Sequence, residues 1–106
     1  MQQDKLIVKL SSPTIFPDLN IAEGKDTDFA REVVAVSRLK FKHFKQMQNM
    51  QDSQQMQFAI SALTGLSEND IDELYAEDAA EITGVIYGFM QKYLALAKKM
   101  IDETAH

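Results

Sequence analysis

The sequence contains no cysteine among its 106 residues. This absence excludes a disulfide framework, a thiol nucleophile and a zinc–thiolate site. Long apolar runs are also lacking. The first ten residues, MQQDKLIVKL, have no apolar core of the kind found in a signal peptide, and no apolar stretch approaches the length of a membrane span. We therefore expect a protein of the cytoplasm that does not bind a membrane.

The motifs of common enzyme active sites are absent as well. The sequence has no phosphate-binding glycine loop, no nucleophile elbow and no serine–histidine–aspartate set in a suitable context. His43 has no second ligand near it in the sequence, and the only other histidine is the terminal His106. We therefore predict that the protein is not an enzyme and that it uses no cofactor and no metal ion.

Size and composition predict one folded domain over residues 1–106. Apolar residues make up 45% of the chain and charged residues 25%, as in ordinary folded proteins. A chain this short buries a smaller fraction of its surface than a large domain does, so its own core is expected to be only marginally sufficient. Oligomerisation or a partner protein would supply further buried surface, and we expect a homo-oligomer.

Charge is distributed unevenly along a chain whose net charge is -5. Residues 67–81 carry seven acidic side chains and no basic one, whereas residues 38–45 carry four basic side chains and no acidic one. For the acidic stretch, helix capping with a solvated surface is favoured over a protein-facing surface or a metal or acid–base site. The segment LKFKHFK, residues 39–45, alternates lysine with phenylalanine, as some nucleic-acid-binding surfaces do. We favour the interpretation that the phenylalanines turn inward while the lysines stay in water, because the overall acidity of the chain disfavours binding to phosphate.

Two short segments alternate as β-strands do. KLIVKL, residues 5–10, predicts a first strand that Pro13 ends, and EVVAVSRLKF, residues 32–41, predicts a second. Residues 11–31 are predicted to form a long loop, some of whose apolar side chains dock on the core or on another subunit. Two strands are too few for independent stability, so the ribbon must pack on helices or on another chain's ribbon.

The remainder, residues 41–104, is predicted to be helical. Ser53 is expected to cap a helix that ends at Gly65, and Ser67, with Asp70, to cap a short helix over residues 68–75. A long last helix starts near Glu77. The predicted fold is therefore α+β and mostly α, with an N-terminal two-stranded β-ribbon followed by three to four helices.

The last helix carries more apolar surface than one small core needs. One seam runs from Ile82 to Met100 and a second from Ile86 to Ile101, beside a ridge of small residues at 80, 84 and 88 where another backbone could approach. The methionines of the glutamine-rich segment before Gly65 either fill the core or form an adaptable binding surface. The candidate partner-binding residues are Met47, Met50, Met56, Ile86, Met90, Leu94, Ala97 and Ile101.

The junction before the last helix resembles a known family. The residues that carry the resemblance are Leu63, Thr64, Gly65, Leu66, Ile71, Asp72, Leu74 and Asp78. With the strand pair upstream, this pattern resembles the small tail assembly chaperones of contractile-tailed bacteriophages and Mu-like prophages. The resemblance covers residues 5–10 and 32–95 and is strongest over 58–90; the loop over 11–31 is longer than is usual in the family, and residues 46–57 are richer in glutamine.

The resemblance implies a non-catalytic role in tail assembly. Such chaperones bind the tape measure protein, keep it soluble and help to recruit the tail tube protein, so the expected location is the cytoplasm of the bacterial host and not the mature virion. Two alternatives remain open: a small acidic regulator or adaptor of the antitoxin type, which also binds a protein partner, and a structural component of the tail.

Overall fold

The structure is a computed structural model that describes the backbone of residues 5–104 and the side chains of residues 5–96 and 98. The elements in chain order are β1 (Lys5–Ile15), α1 (Pro17–Ala22), β2 (Ala30–Ser37), α2 (Phe41–Met47), α3 (Asp52–Thr64), α4 (Glu68–Asp72) and α5 (Ala76–Thr104). The predicted α+β fold is confirmed: four helices follow the N-terminal β-ribbon, and the last is long. A further short helix, α1, lies between the strands.

The two strands form an antiparallel ribbon whose inner face packs on the helices. Val8 pairs with Val34, and both side chains are buried. The prediction that Pro13 ends the first strand is wrong, because β1 continues to Ile15. The regular pairing is interrupted between Lys9 and Thr14, so Pro13 lies where the ladder is already broken and its missing N–H costs no regular hydrogen bond.

The segment predicted as a loop over residues 11–31 is mostly ordered secondary structure. It contains the end of β1, the helix α1 and the start of β2, so the prediction of a long loop is wrong. The buried Asn20 organises the remaining turn: its amide nitrogen donates to the Thr27 carbonyl at 3.1 Å and to the Phe29 carbonyl at 2.9 Å. Its amide oxygen accepts from Arg31. Phe16 is fully buried, as expected for an apolar residue that docks on the core.

The core lies between the inner face of the ribbon, α3 and the first half of α5. Large apolar side chains from all of these elements are buried together, which removes their surface from water. The buried apolar residues are Val8, Leu10, Phe16, Val34, Val36, Met47, Ala59, Ile60, Leu63, Leu66, Leu74, Ile82 and Ile86.

Helix boundaries agree with the local signals in part. Gly65 ends α3 with a φ of 79°, a left-handed conformation that glycine adopts without strain. Ser67 caps α4, since its hydroxyl accepts from the Asp70 N–H at 3.1 Å. Ser53 is not a cap, because α3 begins at Asp52 after Gln51.

Other predicted bounds also need correction. The second strand covers Ala30–Ser37 and not residues 32–41, and the short helix α4 ends at Asp72 and not at residue 75. The ridge of small residues on α5 is open within the described part of the chain: a Cβ at Gly84 or Gly88 would meet no atom within 4 Å. The close packing expected there is therefore not made within a single chain.

Candidate partner-binding surface

The helix α5 extends beyond the core that its first half covers. It has 29 residues, so at about 1.5 Å per residue it is roughly 43 Å long. The molecule measures 59 × 34 × 25 Å. Ile82 and Ile86 are fully buried, but every side chain from Gln91 to Leu96 is exposed, including Leu94 at 54% and Leu96 at 64%. The second half of α5 therefore presents large apolar side chains to solvent.

The short helix α2 adds two aromatic rings to this exposed surface. The Tyr93 ring lies 4.4 Å from the Phe44 ring and 6.2 Å from the Phe41 ring, centroid to centroid, and both pairs are tilted. Such distances are typical of attractive aromatic contacts. Phe41 is still 61% exposed. We refer to Phe41, Phe44, Tyr93, Leu94 and Leu96 as the distal apolar surface.

The predicted partner-binding residues divide between the core and the surface. Met47 and Ile86 are buried, so they do not line an exposed surface in this chain. Met56 and Met90 are half-buried against the core, while Leu94 is exposed. The side chains of Ala97 and Ile101 lie outside the described residues.

Met50 follows the buried Met47, to whose carbonyl its N–H donates at 3.0 Å, and its side chain lines an open groove. The groove has a volume of about 450 Å³ and is lined by Met50, Gln54, Gln57, Phe58, Ser61 and Glu68. Amide and carboxylate groups make up much of this wall. The methionine-rich segment therefore does not form a continuous apolar surface with α5.

Sequence reasoning misplaced the phenylalanines of LKFKHFK. Both were expected to turn inward, but Phe41 is exposed and Phe44 is only half-buried. Tyr93 and Leu96 belong to the first apolar seam, and an excess of apolar surface on this helix was predicted, but the pattern did not indicate which of its residues remain uncovered. Their spacing from Ile82 places all three residues on one face of the helix. In the described part of the chain, no other element buries the second half of that face, so it remains in solvent.

The residues of the family-like motif build the junction between α3, α4 and α5. Leu63, Leu66 and Leu74 are buried, Ile71 is half-buried and Asp72 is exposed. The Thr64 hydroxyl donates to the Ile60 carbonyl and accepts from the Leu66 N–H. Their contacts are structural within this chain.

Asp78 and Asp70 are the two buried carboxylates of the acidic stretch. Asp78 accepts from the Ser11 N–H at 2.9 Å and from the Ser11 hydroxyl at 3.0 Å, which ties α5 to β1. Asp70 accepts from the N–H groups of Asp18 at 3.1 Å and Leu19 at 2.9 Å, which satisfies the first turn of α1. Ser67 completes this link by donating to the Asp18 carboxylate at 2.7 Å.

The other five acidic residues of the stretch are exposed: Glu68, Asp72, Glu73, Glu77 and Glu81. These five exposed residues fit the solvated surface that was favoured for this segment, whereas the buried Asp70 and Asp78 instead tie α4 and α5 to other elements. Across the described residues, no three histidine, cysteine, aspartate or glutamate side chains meet as a metal site requires. Nor does any helix in the described part of the chain combine the length and apolarity needed to cross a membrane.

Positive charge surrounds the distal apolar surface. The chain has no acidic residue over 33–51 or over 82–98, while these two stretches contain Arg38, Lys40, Lys42, Lys45, Lys92 and Lys98. All six of these side chains are exposed. The Lys45 ammonium lies 5.9 Å from the centre of the Phe41 ring, within the range of a cation–π contact. Within the described side chains, this acidic protein therefore carries basic groups on both helices that form the distal apolar surface.

His43 helps to start α2, the helix that supplies the two phenylalanines. Its Nδ1 accepts from the Lys40 N–H at 2.9 Å, which requires an unprotonated Nδ1. Burial lowers the pKa of His43 below its ordinary value of 6.5, and the charges of Lys42 and Lys40 lower it further. The neutral ring is thus the form that this structure favours.

Comparison with protein families, curated proteins and solved structures found no similar protein: the chain matches no family model, and no curated protein or solved structure is significantly similar to it. The likeness to tail assembly chaperones therefore depends on the motif residues alone.

Proposed function

We propose that the protein is a non-catalytic tail assembly chaperone that binds the phage tape measure protein, keeps it soluble and promotes assembly of the tail tube. The observation that carries the proposal is the uncovered second half of α5, where Leu94 and Leu96 are exposed and the exposed ring of Phe41 lies beside Tyr93. Exposed large apolar side chains grouped in this way mark sites of protein interaction.

The shape of the surface suits an elongated helical partner. A helix binds along another helix or in a groove through apolar side chains at positions i, i+3, i+4 and i+7. Covering one exposed leucine completely contributes roughly 1.5–3 kcal/mol. A tape measure protein, as the family resemblance implies, is long and largely helical and would offer many such stripes.

The proposal predicts that a tape measure protein is encoded beside this gene, and co-expression of the two proteins tests it. We expect the wild-type chain to keep the tape measure soluble and to co-purify with it. The double variant L94S/L96S removes exposed apolar contacts only, so it should fold normally and lose most of this effect. The readouts are the soluble fraction of the tape measure and the amount captured with the tagged chaperone.

A matched control uses two other exposed apolar residues. Ile21 is 64% exposed and Tyr75 is 53% exposed, close to the values of Leu96 and Leu94. The variant I21S/Y75S should therefore retain full tape measure binding.

Failure of the wild-type chain to bind or solubilise the tape measure would reject the proposal. A toxin gene beside this one would instead favour the regulator, and the protein in purified virions would favour a structural tail component.

A further inference from the structure

We propose that the distal apolar surface binds an amphipathic helix whose polar face is acidic. This inference rests on the proposed function, because it states the chemistry of the partner that the same surface receives. It is carried by exposed basic side chains on both contributing helices, Lys42 and Lys45 on α2 and Lys92 and Lys98 on α5, of which the Lys45 ammonium lies 5.9 Å from the centre of the Phe41 ring.

The geometry places apolar and basic groups where one helix would meet both. Tyr93 and Leu96 are three residues apart on α5 and share a face, with Phe41 and Phe44 packed beside Tyr93. The lysines have long apolar stems that lie along apolar surface while their ammonium groups remain in water. A helix that fills the apolar strip with leucines would therefore bring its flanking polar residues close to these ammonium groups, and carboxylates fit there best.

A second copy of this chain does not offer a suitable helix at its own acidic stretch. Five of the seven acidic side chains there are exposed, but α4 has only five residues, Leu74 is buried, and Ile71 packs against the core of its own chain. The first half of α5 likewise directs Ile82 and Ile86 into its own core. In the described part of the chain, these acidic segments have the charge but no free apolar stripe, so a different polypeptide is the occupant that fits.

Nucleic acid is the alternative to an acidic helix as the ligand of this surface, because lysines and aromatic rings together also bind nucleic acid. Phosphate binding depends on a field of positive charge that draws the polyanion in. Here the chain carries a net charge of -5, and the exposed carboxylates of residues 68–81 oppose that approach. Short-range contacts to an acidic helix are less affected, because salt screens charges over a distance of about 8–10 Å.

Two labelled peptides about three heptads long provide a direct test. Both carry the same leucine stripe, one with glutamate and the other with lysine on the polar face. Fluorescence anisotropy should show that the acidic peptide binds at least about tenfold more tightly than the basic one, because like charges across an interface are unfavourable. Higher salt should weaken binding of the acidic peptide.

A pair of charge-reversal variants locates the effect. K42E/K45E should weaken binding of the acidic peptide by about tenfold and improve binding of the basic one. K9E/K25E changes the net charge by the same amount at exposed positions away from the Ser37 end of the ribbon, which leads into α2, and should leave the affinity within about twofold of wild type. Circular dichroism checks that each variant folds. If K42E/K45E does not, Lys92→Glu on α5 replaces it, with the same direction expected.

Three outcomes would overturn the inference: equal binding of the two peptides, equal weakening by the two double variants, or tighter binding of a labelled single-stranded oligonucleotide than of the acidic peptide. The co-expression experiment separates this result from the proposed function. If the tape measure is solubilised but the peptides bind equally, only the acidic-partner inference fails. If the acidic peptide is preferred but the tape measure is not bound, the proposed function fails and the acidic preference of the surface stands.

Discussion

The two halves of α5 have similar apolar patterns and opposite surroundings. In the first half, Ile82 and Ile86 are buried under the ribbon and α3; in the second, Leu94 and Leu96 project into solvent. The helix is continuous across both halves, so local conformation does not explain the difference. The difference shows that a chain of 106 residues has too few elements to cover a helix of this length. The remaining surface is available to another molecule.

The largest expected effect is the difference in stability loss between truncating a buried residue of α5 and truncating an exposed residue of the same helix. Ile86→Ala leaves a cavity in the core and should lower the free energy of unfolding by about 2–5 kcal/mol. Leu94→Ala on the same helix should change it by less than about 0.5 kcal/mol, as exposed positions usually do. Urea unfolding of both variants measures the contrast. Similar losses for the two variants would mean that the second half of α5 is covered in the folded protein.

A smaller effect should follow from removing the carboxylate that joins α1 to α4. Asp70→Ala leaves the buried N–H groups of Asp18 and Leu19 without their acceptor and should cost about 1–3 kcal/mol of stability. Asp72→Ala, at an exposed position two residues away, is the matched control and should be close to neutral. Denaturant titration reads out both. A neutral Asp70→Ala would show that water replaces the carboxylate at the start of α1.

The smallest effect concerns pH at the start of α2. Because the pKa of His43 is lowered in the folded protein, the unfolded chain takes up the proton first as pH falls. Stability is therefore unaffected by His43 above the ordinary value of 6.5, declines as pH falls below it and levels off once pH is below the lowered pKa. His43→Gln should flatten this part of the pH profile. NMR titration of the ring should give a pKa below 6.5; a value above it would contradict the assigned acceptor role of Nδ1.

Several local features were predictable from the sequence because their causes are local. The φ of 79° at Gly65 follows from a helix end that needs a left-handed residue, and the Ser67 cap follows from a hydroxyl three residues before an unsatisfied N–H. Alternation at Val34 and Val36 was enough to indicate the second strand and its inner face. Boundaries such as the end of β1 beyond Pro13 were not predictable, because the interruption of pairing that tolerates proline depends on the other strand.

The candidate site was predictable only in part, since exposure is not a local property. The sequence identified Leu94 as a residue of the second seam, but it also included Ile86, which the core buries. It did not indicate that Phe41 and Phe44 would join Tyr93, because that contact links residues about fifty positions apart along the chain.

By itself, the sequence determined the tendency of two segments to form strands, the long closing helix, the caps at the junction and the separation of acidic from basic segments, since each of these depends on neighbours within a few residues. Only the tertiary structure decided which part of α5 is covered, which carboxylates are buried and where the aromatic rings meet. Burial depends on how many elements pack around one centre. In the described part of this chain, the ribbon and the other helices cover the first half of α5 and leave Leu94 and Leu96 exposed.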